Sequence, residues 1–474
     1  MSWASRRIGC FVCSNPCSSS AGKQECGVER GGGSVENDAA EMPQQPLEAH
    51  HHNALYLVVA VVMILMTMIV ALQPLYLSEV LGLARDNAGF VNANIQVISE
   101  VLDLLLVGYL GYLSDRVGRI PLLVYGFLFT GVMALFAPFE KEIAFALGLG
   151  SLLVFYVIRI LMSLGTTLIW PQVIALAGDY GSNRDPTRLV RNVGFMMAFG
   201  VSLVYAVFMQ IPNYVGLRAI MVMIAVVAFV GAWLARNLLV EASAARQKET
   251  QQEFPLSLLW NLLRQDKKLA LSFLTAFTSR NDMVVVGLFL MTWFIYFADL
   301  VPGMDRIHAA SQAGIVIGFM GGMVLVAIPF WGKVIERYGT VAAMAMALLL
   351  TGCGFAAIGL ILNPLGWWIL LPISLVGVGQ AGSILASQIV VLDSAPQGIR
   401  GTALGVFNTV GCIGVVFFLQ VGGVLFDWIG PTAPFTLVGI ANLITFSYAL
   451  LVMKQVSGKK SSDVRVNLSS LNRV

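Results

Sequence analysis

Gly111-Tyr-Leu-Ser-Asp115-Arg116-Val-Gly118-Arg119 is a short charged run set between two long apolar ones. Glycine tolerates close helix approach and a tight turn. An acid placed at a helix end can meet the N-terminus or an Arg of a neighbouring helix. The run recurs 221 residues later as Gly332-Lys-Val-Ile-Glu336-Arg337-Tyr-Gly339, again between apolar stretches and without the last Arg. A second pair links Pro171-Gln172-Val-Ile-Ala-Leu with Ser387-Gln388-Ile-Val-Val-Leu. Asp179 with Arg188 follows the first and Asp393 with Arg400 the second. The chain therefore carries two related halves.

Outward from these runs the sequence is strongly apolar. Of 474 residues, 57% are hydrophobic and 12% charged, about half the usual charged share of ~25%. Mean hydropathy is +0.80. So few charges cannot cover a water-soluble surface, and disorder needs the opposite composition. A disulfide scaffold fits neither the length nor six Cys. A polytopic membrane protein remains. Twelve segments are long enough to cross a bilayer as helices, giving an all-α fold. The first six lie near Leu55–Tyr76, Gly89–Leu110, Ile120–Phe139, Ile143–Leu176, Val193–Ile211 and Ala219–Ala235. The second six lie near Leu269–Ala298, Ala309–Trp331, Val341–Leu362, Gly366–Leu392, Thr402–Phe426 and Phe435–Met453. The expected organisation is a polar tail (1–53), a six-helix bundle (54–236), a linker (237–268), a second six-helix bundle (269–453) and a short tail (454–474).

Basic residues set the orientation. With the N-terminus in the cytoplasm, 23 of the 29 Lys and Arg fall on cytoplasmic segments. Only Arg85, Lys141, Arg218 and Arg306 fall outside, and Arg159 and Arg280 lie within segments. Both termini are expected in the cytoplasm. The formal charge of +3 is explained without a nucleic-acid partner. The tail shows no signal-peptide pattern before Leu55. Its Cys10, Cys13, Cys17 and Cys26 have irregular spacing, which argues against a metal knuckle. His50–His52 reads as a solvated flank, and Met42 is an alternative start.

The two loop motifs and twelve segments resemble the major facilitator superfamily over roughly Ala54 to Met453. That resemblance implies two six-helix bundles, alternating access, no catalytic residues, no cofactor and a monomer in the bilayer. Gly111, Asp115, Arg116, Gly118 and Arg119, with Gly332, Glu336, Arg337 and Gly339, match its gating loops. Arg159, followed by Gly165, resembles the buried Arg of the proton-coupled members. The helix-five motif of the drug–proton antiporters is missing, since Gly194-Phe-Met-Met-Ala-Phe-Gly200 has no Pro. Within the superfamily, Asn53–Leu57, Asn92–Arg119 and Asp282–Phe297 are similar to the magnetosome branch. This implies a bacterial inner or magnetosome membrane, and iron as the solute.

Two polar stripes carry the candidate chemistry. Asn92, Gln96, Glu100 and Asp103 fall at i, i+4, i+8 and i+11, a stripe ~16 Å long on one helix face. It reads either as a proton or cation relay facing a cavity or as a seam against a neighbouring helix. Two carboxylates one turn apart repel, which favours an exchangeable proton. Thr275, Ser279 and Asp282 form a second stripe, beside Arg280 and Asn281. Glu100, Asp103 and Asp282 offer oxygen ligands for a hard or borderline metal ion. If the solute is an anion, Arg159 and Arg280 become the binding groups. Five charges within the membrane are costly unless paired or hydrated. That argues for transport over a transport-inactive sensor or assembly protein of the same fold. Uptake or efflux of a drug or other organic solute is the alternative within transport. Gly318-x3-Gly322 and Gly401-x3-Gly405 read as close helix packing. Cys353 and Cys412 read as small buried residues.

Overall fold

The computed structural model describes residues 49–181, 186–241, 260, 263–394 and 400–471. The tail cysteines, Met42 and most of the expected linker fall outside these residues. So do the side chains of Asp115, Arg188 and Arg400. Among the described residues, twelve helices are long and apolar enough to cross a bilayer. The first six are α1 (His50–Glu79), α2 (Arg85–Ser114), α3 (Arg119–Leu147), α4 (Ser151–Tyr180), α5 (Arg191–Val215) and α6 (Leu217–Leu238). The second six are α7 (Lys267–Ala298), α8 (Arg306–Tyr338), α9 (Thr340–Gly359), α10 (Trp367–Ser394), α11 (Ala403–Trp428) and α12 (Ala433–Gln455).

Two expectations need correction. The fourth segment is over-long in the sequence because it joins two elements. Glu140–Leu147 is a short helix that continues α3 after a 3-10 turn over Ala137–Phe139. Gly148 then closes it in the left-handed region at φ 65°, and α4 starts only at Ser151. Arg159 consequently stands eight residues, ~12 Å, from the start of α4. The motif "loops" are also mostly helix. Gly111–Val117 completes the helix of α2, and the chain turns only at Gly118, with φ 102° and ψ 155°. Gly332–Tyr338 likewise completes α8 before Gly339 turns at φ 85° and ψ 162°. The same backbone turn at both positions is the repeat made physical, and a β-carbon is disfavoured there.

Within the first bundle α3 packs on α4 and α6, and α1 on α5 and α6. In the second, α9 packs on α10 and α12, and α10 also on α7 and α8. The halves meet along α2–α11 and α5–α8, and where the end of α7 reaches the end of α1. One large apolar core takes in α1, α3, α4 and α6 together with Val285–Ile295 of α7 and Ala310–Met320 of α8. Two smaller cores belong to the second bundle alone.

Helix α7 is discontinuous. It runs regularly to Ser279, pauses at Arg280–Asn281, resumes at Asp282–Val285 and widens into a π turn over Val286–Leu290. The Asn281 amide donates to the carbonyls of Thr278 (2.8 Å) and Phe277 (3.4 Å), so its side chain occupies acceptors near the break. Glycines on α11 let the broken helix approach. A β-carbon on Gly414 would stand 2.1 Å from the Phe277 carbonyl oxygen.

Candidate transport pathway

The α2 stripe divides among three neighbours. Asn92 is fully buried, donates to Ala88 O at 2.8 Å and accepts from Gln73 of α1 at 3.2 Å. It is a seam residue. Gln96 is the junction of a polar network. Its amide donates to Glu100 Oε1 at 3.1 Å, and its carbonyl oxygen accepts from Arg159 of α4 at 3.4 Å. Asp103 accepts from the Thr167 hydroxyl, also on α4. Arg159 is 5% exposed, and its Nε is a buried donor without a partner. Among the described residues it forms no ion pair with either carboxylate.

The α7 stripe faces away from this network. Asp282 is fully buried, and one of its oxygens meets the Asn442 amide of α12 at 3.5 Å. Ser279 donates to Asn442 Oδ1 at 2.8 Å, and Thr445 reaches Thr278 at 3.4 Å. Arg280, two residues before Asp282, points elsewhere, and its guanidinium donates to Asn408 of α11 at 2.7 Å. Glu100 feels the positive charges of Arg280 and Arg159, so the charged groups of the two halves share one region. The three carboxylates expected as one metal-ligand set do not gather. No group of three His, Cys, Asp or Glu side chains suited to a metal occurs among the described residues. The α12 seam holds Asp282 apart. Cys412 lies half-buried near this region, and Cys353 is on the outer surface of the spanning helix α9.

Two cavities lie along the helices, one in each half. One of about 410 Å³ is lined by Gly108, Gly111, Arg119 and Gln172. The other, about 300 Å³, is lined by Arg280, Ser383, Ser387 and Gln388. The repeated Gln172 and Gln388 thus take equivalent places. Gly111 and Gly405 have open space around them in this state, against the close packing expected for both. Arg119 pairs with Asp179 at 2.5 Å, and the Glu241 carboxylate accepts from the Ile120 N–H at 2.7 Å. The motif turn is thereby anchored inside its own bundle.

The opposite end is shut by contacts between the halves. Asp427 of α11 accepts from the N–H groups of Gly89 (2.7 Å) and Phe90 (2.8 Å), in the first turn of the α2 helix. Tyr296 donates to Leu83 O at 2.8 Å, and Arg306 to Ser78 O at 3.2 Å. Arg306 also pairs with Asp299 at 2.8 Å and Glu79 at 3.6 Å. Gln210 donates to Ser311 O at 2.9 Å. Between α5 and α8 the packing is backbone-close. A β-carbon on Gly318 would lie 2.9 Å from the Ala206 nitrogen, and one on Gly314 2.6 Å from Tyr205 O. Gly318 thus packs closely as expected, while Gly322 has open space and Gly321 takes its place against Ser202.

This arrangement, two helical halves joined at one end by hydrogen bonds and close glycine contacts and carrying a repeated glycine–acid–Arg motif at the other, matches a known family. The model of the Major Facilitator Superfamily aligns with residues 55–419 and 283–471. The chain belongs to the major facilitator superfamily. It falls in the branch of the magnetosome protein MamH. It is 48% identical to MamH of Paramagnetospirillum magneticum over 429 residues, covering 90% of this chain and 97% of that one. It is 35% identical to the magnetosome protein MamZ of Magnetospirillum gryphiswaldense, covering 84% of this chain and 61% of the longer relative. Solved facilitator structures share the fold. The D-xylose–proton symporter superposes with a TM-score of 0.66 at 17% identity, over 84% of this chain and 98% of that one. The inward open xylose transporter XylE from E. coli gives 0.62 at 15% identity, over 84% and 96%. A major facilitator chain with twelve apolar helices among its described residues is a multi-pass membrane protein of a transporter family.

Several residues of this facilitator site were not expected from sequence. Gln73, Asn408, Asn442, Thr167 and Asp427 all partner charged or amide groups in the spans. Gln73 and Asn442 had a signal, each being a lone amide in a long apolar run. Asp427 sits beside Trp428 at a helix end and gave none.

Proposed function

We propose that the chain is a secondary transporter that alternates between states open at either end, coupled to protons, and that iron is its cargo. The observation that carries this reading is the one-sided seal. Hydrogen bonds and glycine contacts join the halves at the Asp427 end, while a cavity lined by Gly111 and Arg119 lies at the Asp115 end. The Glu100–Gln96–Arg159 network and Asp103 lie between. A carboxylate that exchanges a proton from one side only, in each state, couples proton movement to the change of state. Gln96 connects that carboxylate to Arg159, so a proton on Glu100 alters the charge balance of both bundles. The lysine and arginine bias supports a cytoplasmic motif end and cytoplasmic termini. The similarity to MamH supports a magnetosome or inner membrane and iron as the solute.

Proteoliposome uptake of iron, offered both as ferrous ion and as a ferric carboxylate complex, with and without a pH gradient, tests the reading. A gradient-dependent flux that disappears in Glu100→Gln and in Asp103→Asn, with both variants inserted, supports it. Wild-type flux in the double variant would reduce the α2 stripe to a packing seam.

A further inference from the structure

Arg280 is a cation within a spanning helix, where an Arg is costly unless paired or hydrated. No ion pair offsets it among the described residues. One arm of its guanidinium donates to Asn408 at 2.7 Å. The rest of its rigid fork of donors is unclaimed. Its stem is fixed by Gly411, where a β-carbon would stand 2.2 Å from Arg280 Cδ. The cavity of about 300 Å³ that Arg280 lines has no carboxylate in its described wall. Its hydroxyls are engaged: Thr275 donates to Leu271 O, Ser279 to Asn442, Ser383 to Gln380 O and Ser387 to Ile384 O. The Gln388 amide makes no hydrogen bond among the described residues and lines the same wall. The wall therefore offers a fixed guanidinium fork and a free amide, with Phe407 on the apolar side. That set suits a planar anion held by two parallel hydrogen bonds. It repels a bare metal ion.

We propose that the Arg280–Gln388 pocket binds a carboxylate group of the cargo, so that the solute enters as an organic acid or its metal complex and not as a free cation. This rests on the transport reading above and deepens it. Guanidinium and carboxylate are matched in the number and spacing of donors and acceptors, while Gln388 supplies a neutral donor to the outer lone pairs. A metal complex and a free acid share this carboxylate, and the two are separated by the arms of the test.

Citrate, ferric citrate, inorganic phosphate and ferrous ion are titrated calorimetrically into the purified full-length protein in nanodiscs. Citrate, its ferric complex or both bind the wild type, and the stronger of the two identifies the form carried. Arg280→Gln weakens that binding at least tenfold and Gln388→Ala at least threefold, while Arg280→Lys falls between wild type and Arg280→Gln. Arg218→Gln, a surface charge paired with Glu142, leaves binding unchanged. If Arg280→Gln does not fold, Arg280→Lys and Gln388→Ala carry the test. Binding of ferrous ion or phosphate with both citrate forms ignored overturns the assignment, as does wild-type citrate affinity in the folded Arg280 and Gln388 variants. Flux in proteoliposomes separates the two readings. A protein that binds citrate but moves none of these solutes refutes transport and keeps the subsite. One whose Arg280→Gln variant carries iron at the wild-type rate refutes the subsite and keeps transport.

Discussion

Replacing Asp427 should open the sealed end. Its two oxygens accept the N–H groups of Gly89 and Phe90 at 2.7 and 2.8 Å. Those donors belong to the first turn of a helix, where no carbonyl of the same helix can reach them. A carboxylate there gains from the helix dipole as well as from two charge-assisted bonds, and it does so only while α11 lies against α2. Asp427→Asn keeps one acceptor and loses the charge, so the sealed state should lose about 1–2 kcal/mol relative to the unsealed one. Since 1.4 kcal/mol is a factor of ten, the ratio of unsealed to sealed molecules rises about 5- to 30-fold. Asp427→Ala should exceed that. Pulsed electron paramagnetic resonance between spin labels at Asp86 and Trp428, in a background with the native cysteines replaced, reads the two populations as separate distances. The remaining contacts of Tyr296, Arg306 and Gln210 keep some sealed state in every variant, so a change in ratio is the observable. Identical distance distributions in wild type, Asp427→Asn and Asp427→Ala would refute the reasoning. They would make the α2–α11 contact at this end a passive one.

Other outcomes follow from the same geometry. Asn442→Leu removes the partner of both Ser279 and Asp282 and should cost about 1–3 kcal/mol of stability, seen as a lower thermal midpoint in detergent with cargo affinity preserved in the folded fraction. Gly318→Leu places a side chain where a β-carbon already meets Ala206 at 2.9 Å. It should part α5 from α8, so that a cysteine at Ser202 reacts with an impermeant maleimide many-fold faster than in the Gly318 protein. Reporter tags at either terminus should read cytoplasmic and one in the Asp299–His308 turn external, and an external C-terminus would overturn the orientation.

Hydropathy made the spans and the repeat legible because each helix must bury about twenty apolar residues in lipid. It misplaced the start of α4 because Ile143–Leu147 is as apolar as a span, and only Gly148 and Gly150 mark the break. The site was half legible. Periodicity put Asn92, Gln96, Glu100 and Asp103 on one face of α2, but it cannot say which neighbour that face meets. Asn92 meets α1, Gln96 and Asp103 meet α4, and Glu100 is left toward Arg280. The α7 stripe shows the same ambiguity. A polar face suits a watery cavity or a polar partner helix equally well, and this one meets both: Asn442 of α12 partners Ser279 and Asp282, while Thr275 and Ser279 line the cavity beside Arg280. Arg280 escaped that seam because α7 breaks at its position, a feature with no proline to announce it.

The three glycines that α8 lays against α5 have a mechanical consequence. Interlocked side chains would have to climb over one another whenever two helices roll, and that climb would slow every cycle. Bare backbone at Gly314, Gly318 and Gly321 has no teeth, so the two helices form a smooth bearing about which the halves can rock without repacking. On the proposed alternating-access cycle, the work of each stroke falls on a few polar fasteners at the ends, and its speed depends on how quickly those few bonds trade partners with water.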